Sequence, residues 1–167
     1  MSLKRLNELP APEASQEFLK CCGSKRWAEA MTDRRPFEGV EDLTQTASDV
    51  WWALNHDDWL EAFRSHPKIG EKKAAEAVST QSQQWSGQEQ SGMRDAAANT
   101  VDSLAQLNRE YEQKFGYIFI VCATGKSADE MLTLLRRRLE NDPDTELPIA
   151  AAEQAKITEL RLKKLIN

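Results

Sequence analysis

Histidine is scarce in this chain, with only His56 and His66 among 167 residues. Seven glycines and six prolines are few for an all-β domain, which uses such residues at its many tight turns. The three cysteines, Cys21, Cys22 and Cys122, are odd in number and have no C-x-x-C or other metal-ligand spacing. They therefore read as free thiols of a reducing compartment, not as a disulfide framework or a metal site. No apolar run approaches the ~20 residues of a membrane span. The opening Met1-Ser2-Leu3-Lys4-Arg5-Leu6-Asn7-Glu8 lacks a signal-peptide core, and the closing Lys164-Leu165-Ile166-Asn167 is not a peroxisomal address. A cytoplasmic protein with no membrane contact is the expectation. A basic excess is also missing: the net charge is -5 and the pI about 5.2, which argues against nucleic-acid binding. A local cationic pocket for a small anion is still compatible with that charge.

What is present is ordinary globular composition, 40% hydrophobic and 29% charged. The length fits one domain, residues 1–167, able to bury a core without a disulfide or metal. Residues 1–13 read as a mobile arm ending on Leu9-Pro10-Ala11-Pro12. Helical spacing follows over Ser15–Cys22, Trp27–Met31, Glu41–Leu54 and Asp57–Phe63, with Leu43, Ala47, Val50, Trp51 and Leu54 on one face of the third. Glu71–Val78 is weakly helical and Ser79–Ser86 reads as a polar loop. Ser86 and Glu89 form a capping box, predicting one long helix from Ser86 to about Phe115 with Met93, Ala97, Val101, Leu104, Tyr111 and Phe115 along a stripe. Tyr117–Ala123 has strand composition but no partner strand. A second capping box, Ser127 and Glu130, opens a helix to about Asn141, and a last helix runs from about Thr145 to Leu165. The expected architecture is all-α, with seven or eight helices.

One stretch stands apart, His66-Pro67-Lys68-Ile69-Gly70. Pro67 lacks an N–H and disfavours helical geometry at His66, so the preceding helix must stop there. Gly70 admits backbone angles closed to other residues. A titratable imidazole on a rigid helix-ending turn suits acid–base chemistry; a surface histidine at an ordinary helix stop is the alternative.

This motif, then Trp85-Ser86-Gly87-Gln88-Glu89-Gln90, then Lys114-Phe115-Gly116-Tyr117-Ile118-Phe119-Ile120-Val121-Cys122-Ala123, occur in an order and spacing that resemble the 2-oxo-4-hydroxy-4-carboxy-5-ureidoimidazoline (OHCU) decarboxylases of urate breakdown. Leu9-Pro10, Arg35-Pro36-Phe37, Arg138-Leu139 with Asn141, and Lys156-Ile157-Thr158-Glu159-Leu160-Arg161-Leu162 extend the likeness over nearly the whole chain. Ser24-Lys25-Arg26-Trp27 departs from a Ser-Pro-Trp segment frequent in that family. The resemblance implies a cofactor-free, all-helical, homodimeric enzyme that forms (S)-allantoin from OHCU. It also implies that Ile118–Ala123 is an extended pocket wall leading into a helix, not part of a sheet.

Carried over residue by residue, the resemblance makes His66 the general acid/base and Glu89 the acceptor that fixes the substrate's N–H groups. Pro67, Ser86, Gln90 and the backbone of Phe119, Ile120, Val121, Cys122 and Ala123 complete the substrate contacts, and Arg161 clamps the carboxylate. No metal or organic cofactor is implied, because a C=N bond beside the reacting carbon accepts the electron pair. Each role has a plainer counterpart: Glu89 as half of a capping box, Arg161 as a solvated helix charge, Arg136-Arg137-Arg138 as a solvated face. His56 reads as a cap or surface residue. Two rival functions are a helical adaptor using Trp51, Trp52 and Trp59, and a hydrolase of 5-hydroxyisourate.

Overall fold

The computed structural model describes residues 1–70, 79–94 and 96–167. The weakly helical expectation for Glu71–Val78 lies outside the described residues. Within them the chain forms α1 (Leu3–Glu8), α2 (Ala11–Cys21), α3 (Lys25–Asp33), α4 (Val40–Ala53), α5 (His56–Arg64), α6 (Thr80–Glu89), α7 (Ala98–Phe115), α8 (Ala128–Leu139) and α9 (Pro143–Leu165). A short 3-10 turn, Ser91–Met93, follows α6, and among the described residues there is no strand. The all-α expectation holds, with nine helices among the described residues where seven or eight were read. The chain divides into two compact units, Met1–Ala62 with Ala155–Asn167, and Phe63–Gln154.

In the first unit, the residues read as a mobile arm carry helix α1, capped by Ser2, whose hydroxyl accepts from Arg5 N–H at 3.2 Å. Leu6 is fully buried. Arg35 explains why this segment stays docked. Its guanidinium donates to the carbonyls of Leu6 at 2.9 Å and Leu9 at 2.7 Å, satisfying acceptors that a helix end leaves open. Asn7 exchanges two hydrogen bonds with the Phe37 backbone, at 2.9 and 3.0 Å. The Leu9-Pro10 and Arg35-Pro36-Phe37 motifs are thus one structural joint. The Ser24–Trp27 departure sits at the first turn of α3, where Ser24 caps Trp27 N–H. Trp27 is fully buried and donates its indole N–H to Ala47 at 3.1 Å, so both ends of that segment serve the core.

In the second unit, the expected long helix is interrupted. Ser79, not Ser86, caps α6, its hydroxyl accepting from Ser82 N–H at 3.1 Å. The Ser79–Ser86 loop and the Ser86–Glu89 capping box are therefore corrected: both residues lie on the C-terminal half of a formed helix. The pattern misled because a polar ten-residue helix shows no apolar stripe. α7 starts only at Ala98 and buries Thr100, Leu104, Asn108 and Tyr111, while Val101 is exposed. Gly116 closes it at φ +82°, its N–H bonded to Glu112 at 2.8 Å, a left-handed cap natural to glycine. The second capping position behaves as read, with Ser127 accepting from Glu130 N–H at 3.1 Å. Leu104, Tyr111, Phe119, Val121, Met131 and Leu135 form the core of this unit.

α9 begins at Pro143 rather than Thr145, with Asp142 accepting from Thr145 N–H at 2.9 Å. Proline is well suited to a first helical position, where its missing N–H would be unpaired anyway.

Candidate active site

α5 ends at Arg64, and His66 N–H closes the last turn on Phe63 carbonyl at 3.2 Å. The sequence expectation for Pro67 holds: helix stops, and the next residues turn, with Gly70 at φ +85°. His66 is not a surface residue, being only 7% exposed. Its Nε2 lies 2.6 Å from the side-chain oxygen of Gln154, itself wholly buried on α9. Both belong to the unit Phe63–Gln154.

α6 buries Ser82, Trp85, Ser86 and Glu89. Those positions repeat at three and four residues, so one helix face presents two hydroxyls and a carboxylate to the interior. The neighbouring Gln90 ties the two segments together, its amide oxygen accepting from Gly70 N–H at 2.9 Å. That bond fixes the turn that carries His66. In this structure, Gln90 commits its oxygen to that turn.

Between Gly116 and α8 the chain forms a strap with neither helix nor strand, and Phe119, Ile120, Val121, Cys122 and Ala123 are all buried. The strand-like composition of Tyr117–Ala123 therefore joins no sheet among the described residues. Two carbonyls of the strap are held by basic side chains: Arg138 donates to Ile120, and Lys126 Nζ to Cys122 at 2.7 Å. Among the described residues, the backbone N–H groups of Ile120, Val121 and Cys122 have no hydrogen-bond partner. Buried N–H groups in folded proteins are nearly always paired, which makes these three candidates for a ligand's acceptors.

Electrostatics connect strap and helices. The Cys122 thiol is pushed above its ordinary range chiefly by burial, opposed by Lys126 and further raised by the carboxylates of Glu153 and Glu89. Glu89 on α6 and Glu153 on α9 thus both lie within Coulombic reach of the strap. Glu153 and Gln154 are the residues the sequence reading missed. The only signal for them was two adjacent polar residues within the small apolar run Ile149-Ala150-Ala151-Ala152 to Ala155-Lys156-Ile157.

The Arg136-Arg137-Arg138 expectation is corrected at its last member. Arg136 and Arg137 are exposed, but Arg138 is buried, pairs with Glu146 at 2.6 Å, and lies 4.6 Å from the Phe119 ring centroid. Arg161 is also buried rather than solvated, at 3% exposure. It belongs to the other unit, where its charge opposes the burial that raises the Cys21 and Cys22 thiols. Of the tryptophans proposed as an adaptor surface, Trp51 and Trp59 are buried and stacked on each other, and only Trp52 is exposed. His56 is exposed and stacks on Trp59 at 5.2 Å. A cavity of about 230 Å³ lies against Lys68, Ile69, Gly70, Met93, Asn108 and Arg109, with neither His66 nor Glu89 in its walls.

No group of three or more His, Cys, Asp or Glu among the described residues is placed to hold a metal ion. No helix among them is long and apolar enough to cross a membrane.

The chain is similar to known proteins over most of its length. The OHCU decarboxylase family matches residues 7–163. The uric acid degradation bifunctional protein TTL of Arabidopsis thaliana is 41% identical over 152 residues, 90% of this chain and 47% of its own. This chain therefore spans about half the length of that relative. The 2-oxo-4-hydroxy-4-carboxy-5-ureidoimidazoline decarboxylase of Mus musculus is 31% identical over 140 residues, 84% of this chain and 78% of the mouse protein. A crystal structure of OHCU decarboxylase in the presence of (S)-allantoin superposes with a TM-score of 0.79 at 41% identity, covering 90% of this chain and 97% of the other.

Proposed function

We infer that this chain, which belongs to the OHCU decarboxylase family, removes carbon dioxide from OHCU and yields (S)-allantoin. The observation that carries this reading is the match of the OHCU decarboxylase family over residues 7–163, within which His66 and Glu89 are both buried polar residues of the unit Phe63–Gln154. Such a site offers acceptors for ring and ureido N–H groups and donors for ring carbonyls, the two edges of a small imide-like heterocycle. An adaptor has no use for that pairing.

The chemistry needs no outside electron sink. As the bond to the carboxylate breaks, carbon dioxide leaves and its electron pair enters the adjacent C=N, whose nitrogen takes a proton. The resulting enol then loses its hydroxyl proton, and the ring carbon bearing the ureido group gains one. His66, as general acid/base, acts on that hydroxyl, a task suited to a group titrating near neutrality. Glu89 fixes the ring's orientation, so that the carbon is protonated on one face. Pro67, Ser86, Gln90 and the backbone of Phe119–Ala123 complete the contacts. Arg161 clamps the carboxylate through its planar guanidinium, a role that rests on the family resemblance alone. The protein works as a homodimer, again by that resemblance, and in the cytoplasm, where its free cysteines stay reduced.

Freshly generated OHCU, incubated with the protein, gives carbon dioxide and a circular-dichroism signal of one-handed allantoin. Racemic allantoin at the uncatalysed rate overturns the reading. Acceleration of 5-hydroxyisourate loss without carbon dioxide favours the hydrolase instead.

A further inference from the structure

His66 has two ring nitrogens, and only one carries hydrogen in the neutral ring. The Gln154 contact decides which. Its side-chain oxygen, 2.6 Å from Nε2, has no hydrogen to give, so the hydrogen of that bond sits on His66 Nε2. Gln154 is wholly buried on α9, and no residue between Ala150 and Gln154 is more than partly exposed, so the amide cannot swing into solvent. The His66 ring is likewise held, its backbone fixed on Phe63 carbonyl and its following turn pinned by the Gln90–Gly70 bond. We propose that Gln154 is a positioning residue that locks the His66 hydrogen on Nε2, making Nδ1 the nitrogen that exchanges a proton with the substrate hydroxyl. The second half rests on the decarboxylase reading; the first does not.

A neutral amide suits this task better than a carboxylate. It orients the ring without adding a charge beside it.

With only two histidines in the chain, the test is direct. Protein labelled with nitrogen-15 histidine is studied by long-range proton–nitrogen correlation above the ring's titration, with His56→Gln assigning the signals. The expected His66 pattern has hydrogen-bearing Nε2, bare Nδ1, and a ring N–H proton that exchanges slowly and resonates downfield. Gln154→Leu, similar in size but without the acceptor, loses that slow, downfield proton; Gln154→Glu, which keeps an acceptor, retains it. Turnover of OHCU by folded Gln154→Leu falls about 10- to 100-fold with KM within a few-fold, the usual scale for removing a partner that fixes a histidine ring.

A hydrogen on Nδ1 in the wild-type protein overturns the proposal. So does an unchanged ring proton in Gln154→Leu, or turnover within twofold of wild type. If Gln154→Leu does not fold, the wild-type and Gln154→Glu spectra decide alone. A wild-type protein with Nε2–H but no decarboxylation overturns the functional reading and the Nδ1 assignment, while leaving Gln154's hold on the ring intact.

Discussion

The Arg138 guanidinium and the Glu146 carboxylate meet at 2.6 Å, with their side chains only 8% and 0% exposed. Tyr111 hydroxyl donates to the same Glu146 oxygen at 2.5 Å, and Asn141 to the other at 2.9 Å. Arg138 spends its other nitrogens on Ile120 carbonyl and Tyr111 oxygen. The α8 and α9 charges are thereby tied to the strap through the Ile120 carbonyl.

Removing one partner leaves the other charge buried without compensation, a loss of about 3–5 kcal/mol. Arg138→Met should fall at the low end of that range, since Tyr111 and Asn141 still serve Glu146. Arg138→Met combined with Glu146→Met should recover most of the loss, as apolar replacements of buried pairs commonly do. Urea unfolding of the three variants checks this. A single-mutant cost below about 1 kcal/mol means the pair is not holding the strap.

His66→Asn keeps a polar side chain but removes proton transfer. Turnover should drop ~100- to 10,000-fold, with KM little changed. Because His66 sits at a helix-ending turn fixed by Pro67, the folded state should survive. Retention of more than about a tenth of wild-type turnover removes His66 from the chemistry.

Arg161→Ala should raise KM about 10- to 100-fold, the worth of a charge-assisted, two-point contact with a carboxylate. Arg161→Lys should lie between, keeping charge without the fork. If neither variant changes KM while both fold, Arg161 is structural. Steady-state assays beside helical circular dichroism separate the two outcomes.

Gly92 is placed where a side chain has no room: a Cβ there would run into the Lys126 carbonyl and the Ser127 backbone. Both are main-chain atoms at the end of the strap and cannot swing aside. Gly92→Ala should therefore destabilise by about 1–3 kcal/mol, the usual scale for overpacking. A neutral result in thermal unfolding means the 3-10 turn and the strap end are not in close apposition.

Burial pushes the Cys22 thiol from an ordinary 9.0 up to about 12, and Tyr117 from 10.0 to about 12. In the unfolded chain these groups lose protons from about pH 9 to 10, while the folded chain keeps them. The unfolded state then binds fewer protons, so stability falls as pH rises through that window towards 12. Each group contributes up to about 1.4 kcal/mol per pH unit. Urea midpoints from pH 8 to 11 should decline, and thiol reagents should react with Cys21 and Cys22 only on unfolding. A flat profile contradicts the burial of these groups.

Local chemistry made much of this legible in the sequence. The stop before His66 follows from Pro67, the cap of α8 from Ser127, and the buried face of α4 from Leu43, Ala47, Val50 and Trp51, each decided within one or two turns of chain. The ordered motifs also placed Phe119–Ala123 outside any sheet, where composition suggested a strand. Long-range packing decided the rest. Arg35 turns a nominal arm into a docked helix by reaching back to Leu6 and Leu9, 29 and 26 residues away. Arg138 looks like its neighbours Arg136 and Arg137 until Glu146 is brought beside it. Gln154 meets His66 across 88 residues of chain, and no spacing rule connects them. A charge or an amide gains its role from the partner that tertiary folding supplies, and that partner is written elsewhere in the chain.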